Sequence, residues 1–192
     1  MSATQPSNAQ QSLTCAVLDD GEFAVVRVVG KGTFQVSMAL KQFAALAQRR
    51  GKDLKFIIDM AACESMDSTF MGVIAGLAVV HQREGLPKVI LANPNEQCRR
   101  LLKNLGILGM LAVKTGESVE VERAANQLSA PKEDAQVDRV AQICMTLDAH
   151  KQLVEIDPAN EIKFQAVIEY LEKSLVEEKG NTVTSSSPPS SF

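Results

Sequence analysis

The side chains with most capacity for chemistry concentrate in one segment, Phe56 to Gly72, which reads FIIDMAACESMDSTFMG. An apolar run suited to a buried strand passes through a polar stretch into Asp67-Ser68-Thr69, and an apolar helix begins there. Asp and Ser are preferred partners for the free N–H groups of a first helical turn, so the triplet marks a helix start whatever else it does. Asp59, Glu64 and Asp67 crowd the same connection, and carboxylate oxygens of this kind can hold Mg²⁺. Acids flanking a helix start more commonly serve the helix dipole. No metal, no cofactor and no catalytic residue is therefore expected.

Other patterns point away from enzyme chemistry. Gly30-Lys31-Gly32-Thr33 has the flavour of a phosphate loop, but that motif needs a glycine five residues before the Gly-Lys pair and a hydroxyl after the lysine. Val25 and Gly32 occupy those positions. The dinucleotide pattern fails as well, because its third glycine falls on Gln35. Only two histidines exist, His81 and His150, in separate predicted helices, and they assemble no Ser/His or Cys/His relay by spacing. Cys15, Cys63, Cys98 and Cys144 are spread along the chain without a C-x-x-C pair, which suits reduced structural thiols.

Stepping along the chain, short β-branched runs at Leu13 to Leu18 and Phe23 to Val29 flank Asp19-Asp20-Gly21, a hairpin signal. Val36, Leu40, Phe43 and Ala47 form a one-sided helical stripe over Val36 to Arg50, ending at Gly51. Lys55 to Asp59 and Pro87 to Ala92 read as strands, with helices over Ser68 to Arg83 and Asn95 to Leu105, the latter capped by Asn93 with Pro94 at its first position. Gly106 to Val113 supplies a last short apolar segment. Alternating strands and helices predict an α/β domain: a mixed sheet, parallel after the hairpin, with crossover helices on it.

Further on, Val137, Val140, Cys144 and Leu147 form one helical stripe, and Phe164, Val167, Ile168, Leu171 and Leu175 a second, between Asp157-Pro158 and Gly180. The expected organisation is a polar tail at 1–11, the α/β domain at 12–125, a linker at 126–136, a two-helix appendage at 137–180 and a Ser/Pro tail at 181–192. The two amphipathic helices must bury their stripes on each other, on the domain or on a second copy, so a homo-oligomer through the appendage is one option. The second helix is apolar nearly all round: Phe70, Met71, Val73, Ile74, Leu77, Val79 and Val80 exceed what one sheet face can bury. Either Phe70 and Met71 are exposed as a contact site, or the appendage covers this face.

With 192 residues, 45% apolar, 22% charged and a net charge of −3, the chain can build a core and gives no reason to expect nucleic acid or an anionic membrane as a partner. Its most apolar run, Phe70 to Val80, is short of the roughly 20 residues a membrane span needs, and a cytoplasmic location is expected.

The segment Phe56 to Gly72 resembles the signature of the STAS domain family, the sulfate-transporter and anti-sigma-factor-antagonist fold. There a strand of the form apolar-apolar-Asp-apolar leads to Asp-Ser-Ser/Thr, then a small or apolar residue and Gly. Asn93-Pro94 with the following Arg99-Arg100-Leu101-Leu102 is similar to the family's strand-end N-P and R-x-L-L, and Leu105-Gly106-Ile107 to its leucine-glycine-leucine. The resemblance spans about residues 12 to 118 in the family's order. It implies an anti-sigma factor antagonist, whose serine after the Asp is phosphorylated by an anti-sigma factor serine kinase and reset by a serine phosphatase. That residue maps onto Ser68, with Thr69 as second choice. The family's Gly-Glu-apolar-Asp loop, part of the kinase-contacting face in relatives, is Gly30-Lys31-Gly32-Thr33 here, and Phe70 stands where Gly is common. The expected contact residues are Lys31, Thr33, Asp67, Thr69, Phe70 and Met71. The alternatives are a STAS scaffold that is never phosphorylated and, with least support, a nucleotide- or metal-binding enzyme.

Overall fold

The computed structural model describes residues 12–49, 54–131 and 138–184. The expected tail at 1–11, the helix stop at Gly51, Val137 and the last eight residues of the Ser/Pro tail lie outside the described residues.

The elements run β1 (Ser12–Val17), β2 (Phe23–Gly32), α1 (Phe34–Gln48), β3 (Lys55–Met66), α2 (Ser68–Arg83), β4 (Ile90–Ala92), α3 (Glu96–Asn104), β5 (Ala112–Lys114), α4 (Val119–Ala124), α5 (Arg139–Ile156) and α6 (Glu161–Thr184). They build the mixed α/β sheet with crossover helices and added C-terminal helices that the patterning predicts. The sheet order is β1-β2-β3-β4-β5, with β1 antiparallel to β2 and every later pair parallel.

Side-chain alternation sorts the sheet into two faces. Ala24, Val26 and Val28 of β2 and Phe56, Ile58 and Met60 of β3 point into the larger core beneath α1, α2, α3 and α5. Val25 and Ile57 point to the other face, where Leu18, Ala92 and Ala124 of α4 close a small second cluster. On that face Arg27 and Asp59 are register partners, and the Arg27 Nε donates to Asp59 Oδ2 at 2.8 Å, which satisfies a carboxylate that is otherwise buried.

Several boundaries differ from the sequence-based expectation. β3 does not end at Asp59: it continues to Met66 because β2 also continues, to Gly32, with register shifts after Arg27 and after Gly30 that keep the pair together. Only Ile90–Ala92 of the expected Pro87 to Ala92 strand is paired; Pro87 has no N–H to contribute, and its carbonyl accepts from the His81 ring at 2.8 Å. Asn95, not Asn93, caps α3, its side chain accepting from the Cys98 N–H. Asn93 instead adopts φ +53° and exchanges two hydrogen bonds with the Gly116 backbone. Gly180 does not end the last helix, which runs through it to Thr184.

All four cysteines are free, and three are buried; burial pushes the Cys15 thiol up to about 11. The thiols of Cys63 and Cys98 share a hydrogen bond that draws the first below the ordinary thiol range and pushes the second above it.

The appendage is fastened to the α/β domain at one point by a buried polar group. Asn160 is fully buried, and its Nδ2 donates to the Leu105 carbonyl at 3.1 Å and the Leu153 carbonyl at 2.9 Å, while Lys163 Nζ donates to the Asn104 carbonyl. Asn160→Ala removes the donor to the Leu105 carbonyl, while the Leu153 carbonyl keeps the Asp157 N–H at 3.2 Å; a buried acceptor left unsatisfied costs about 1–3 kcal/mol. A lowered urea midpoint of that order is expected; a wild-type midpoint would show that the fastening lies elsewhere.

Candidate functional site

The site is built where two parallel strands end and two helices begin. β2 and β3 finish in register at Gly32 and Met66, and the Asp67 N–H donates to the Gly32 carbonyl at 2.9 Å. Asp67 then caps α2, its Oδ1 accepting from the Phe70 N–H at 2.8 Å. Its second oxygen accepts from the Phe34 N–H at 2.7 Å, at the first residue of α1. Thr33 precedes α1 without a side-chain cap, so a carboxylate 33 residues away supplies what the local hydroxyl does not. One side chain therefore holds the starts of both helices at fixed separation and leaves Ser68 at the first position of α2.

Ser68 is half-buried, and its Oγ lies 2.9 Å from Nε2 of His150 in α5. His150 is 3% exposed; its Nδ1 is 2.8 Å from the Thr146 carbonyl, and its ring lies edge-on to Phe164 at 5.1 Å. A carbonyl can only accept, so Nδ1 carries the proton in the neutral ring, Nε2 is the acceptor, and the Ser68 hydroxyl donates to it. Spacing alone assembles no Ser/His arrangement in this chain; the fold corrects that by bringing these two together across 82 residues. His81 is a core residue edge-on to Phe56.

The other expected site residues separate by burial. Lys31 is exposed and Thr33 half-buried, on the chain leading from β2 into α1 beside Asp67. Thr69, Phe70 and Met71 are buried, Phe70 completely. The expectation of Phe70 and Met71 as an exposed contact site is thus corrected, for two reasons. The Phe70 ring packs over Gly32, where a Cβ would stand 2.5 Å from it. The outward face of α2 is also covered by α5: at Gly72 a Cβ would stand 2.4 Å from the Ala149 carbonyl oxygen. Gly32 and Phe70 are complementary in size. The hydrophobic excess of α2 is accounted for by the appendage that lies on it.

Asp59, Glu64 and Asp67 are not brought together as a metal site. Asp59 is paired with Arg27, Asp67 caps two helices, and Glu64 is exposed. Among the described residues no group of three metal-ligating side chains forms, and no helix is long and apolar enough to cross a membrane.

The STAS domain family matches residues 16–121, which contain β2 to β5, α1 to α3 and the Asp67–Ser68 site. The chain belongs to the STAS domain family. Solved structures similar to it include the Thermotoga maritima protein TM1081, at 17% identity over 58% of this chain and 92% of that one, TM-score 0.47. The anti-sigma factor antagonist SpoIIAA in its unphosphorylated form is similar at 20% identity over 62% of this chain and 99% of that one, TM-score 0.46. A Shewanella loihica protein with a SpoIIAA-like fold is similar at 15% identity, over 66% and 97% of the two chains, TM-score 0.42. No curated protein sequence matches the chain. The family match ends before α5 and α6, so His150, which faces Ser68, comes from outside the STAS domain.

Asp67→Ala removes the acceptor for both the Phe70 and Phe34 N–H groups. Loss of a helix cap costs about 0.5–2 kcal/mol, and the second orphaned N–H adds to it. Asp67→Asn keeps one acceptor oxygen and is expected to lose less. Urea denaturation of the three proteins checks the ranking; equal midpoints for wild type and Asp67→Ala would show that the carboxylate is not a double cap.

Proposed function

We propose that this STAS protein is a phosphorylation-switched binding protein of the anti-sigma factor antagonist type. Unphosphorylated, it captures an anti-sigma factor that is also a serine kinase, and so frees a sigma factor; it performs no catalysis itself. The observation that carries the proposal is the place of Ser68 in a STAS domain: directly after the Asp67 cap, half-buried at the end of β3, beside exposed Lys31 and half-buried Thr33. The phosphoryl step joins Ser68 Oγ to the γ-phosphorus of ATP and breaks the bond to the ADP oxygen, the hydroxyl proton leaving to the kinase's base. A serine phosphatase restores the hydroxyl with release of inorganic phosphate. Lys31, Thr33, Asp67 and Ser68 form the accessible part of the contact face; Thr69, the alternative acceptor, is buried.

A phosphate at Ser68 adds about −1.5 to −2 charges at a helix N-terminus that tolerates an anion, so the domain itself is not melted. Its effect falls on a partner surface. There a dianion must be desolvated beside Asp67, and a loss of about 1.4 kcal/mol weakens binding tenfold.

A second reading has its own observation. The Ser68 hydroxyl is engaged by His150 and α2 is covered by α5, which suits a scaffold that is never phosphorylated and presents the outer face of α6, where Ile162, Tyr170 and Val176 are exposed. A homo-oligomer through that face belongs to this second reading.

The test uses wild-type, Ser68→Ala and Ser68→Asp proteins with ATP and extract of the source organism. A single added phosphate on Ser68, absent from Ser68→Ala, is expected, together with an ATPase retained by Ser68→Ala and lost by Ser68→Asp. Identical partners on all three and no added phosphate would favour the scaffold.

A further inference from the structure

The contact between Ser68 and α5 carries an inference about how the site is regulated, and it rests on Ser68 being the phosphoacceptor. α5 is held over α2 by three features of different strength. At its C-terminal end, Leu153 is buried in the main core, and Asn160 and Lys163 of the following segment are tied to the carbonyls of Leu105 and Asn104. Midway, the Ala149 backbone sits so close over Gly72 that no side chain fits between. At the Ser68 end, the hydroxyl donates to His150.

The rest of this interface is incompletely filled. A groove of about 510 Å³ runs between α1 and α5, floored by Gly72, Val73, Gly76 and Leu77 of α2 and flanked by Met145 and Gln152 of α5. A gap of this kind forfeits dispersion contacts along both helices. The ion pair across it, Lys41 to Asp148, is long at 3.4 Å and solvent-exposed, so it adds little. The hydrogen bond from Ser68 thus weighs more here than it would in a fully packed interface.

Phosphorylation removes the hydroxyl proton that makes this bond. With Nδ1–H committed to the Thr146 carbonyl, Nε2 of the neutral ring then faces the oxygens of a phosphate dianion, which only accept. The Oγ to Nε2 separation of 2.9 Å has no room for phosphorus and its oxygens, and the Gly72–Ala149 contact prevents α5 from adjusting inward. A phosphate turned toward solvent leaves a buried imidazole acceptor without a donor; one turned toward His150 pushes the helix outward. With the ring neutral, the clasp is lost in both cases.

We propose that α5 is a resident cap on the Ser68 end of α2, and that phosphorylation of Ser68 and seating of α5 are mutually exclusive, so that the phosphate releases α5 from α2. The anchor at Asn160 and Leu105 keeps the released helix attached to the domain. A kinase must likewise draw Ser68 away from His150 before transfer.

The experiment measures amide hydrogen exchange, by mass spectrometry, of the full-length chain. It compares wild type, protein with phosphoserine incorporated at position 68 during translation, Ser68→Ala, and Gly72→Ala, which lifts α5 by a Cβ without touching Ser68 or His150. Exchange over residues 145–153 is expected to rise by about tenfold or more in the phosphoserine and Gly72→Ala proteins, and by less in Ser68→Ala, with β2 and β3 unchanged. Equal or slower exchange over 145–153 in the phosphoserine protein overturns the proposal, slower exchange being the mark of an imidazolium–phosphate pair that tightens the cap. Because the phosphate is installed without a kinase, release of α5 and phosphorylation by a cognate kinase can fail independently of each other.

Discussion

The Asp67 carboxylate is the constraint on which the site depends. Its two oxygens accept from the first turns of α1 and α2, and its own N–H is bound to the last residue of β2. Three elements from two distant parts of the chain therefore meet at one residue. A helix start needs an acceptor for its free N–H groups, and a shared acceptor converts two independent caps into a fixed distance. The position of Ser68 follows, since it is the first residue of a helix whose origin cannot drift relative to its neighbour. The extension of β3 to Met66, with two register shifts against β2, brings Asp67 to the place where Gly32 can receive it.

The same corner shows how residues that look irregular separately fit together. Phe70 is large and Gly32 has no side chain; the ring of one occupies the space the other vacates. Gly72 plays the corresponding part on the opposite side of α2, where the absence of a Cβ lets the Ala149 backbone come close. α2 thus fills the space over Gly32 with Phe70 and lets α5 approach closely at Gly72. That division explains a helix apolar nearly all round: one face belongs to the STAS core and another to the appended helices.

The appended helices give the STAS domain a property it would lack alone. His150 is buried, edge-on to Phe164 of α6, and reaches the hydroxyl of Ser68. A modification at Ser68 is thereby connected to the packing of α5 and α6 as well as to the surface a partner meets. The second histidine, His81, is also buried, but packs edge-on to Phe56 within the core. The two histidines are of equal standing in composition and differ only through what the fold places beside them.

The sequence by itself determined what depends on near neighbours. The hairpin, the start of α2 at Ser68, the parallel α/β order, the membership signalled by Asp67-Ser68-Thr69 with Arg99-Arg100-Leu101-Leu102, and the amphipathic appended helices all come from periodicity, capping and motif within a few residues. Strand ends were less legible, because whether Met60 to Met66 pairs depends on how far β2 extends to receive it. So was the choice between Asn93 and Asn95, since both cap well in principle and only the bonds to Gly116 assign Asn93 to the loop. What only the tertiary structure decided is the double cap by Asp67, the burial of Phe70 and Met71, and the meeting of Ser68 with His150. Each is a contact between residues 33 to 82 positions apart or between separate helices. Such contacts are set by how faces pack in space, and packing of distant faces leaves no periodic trace along the chain.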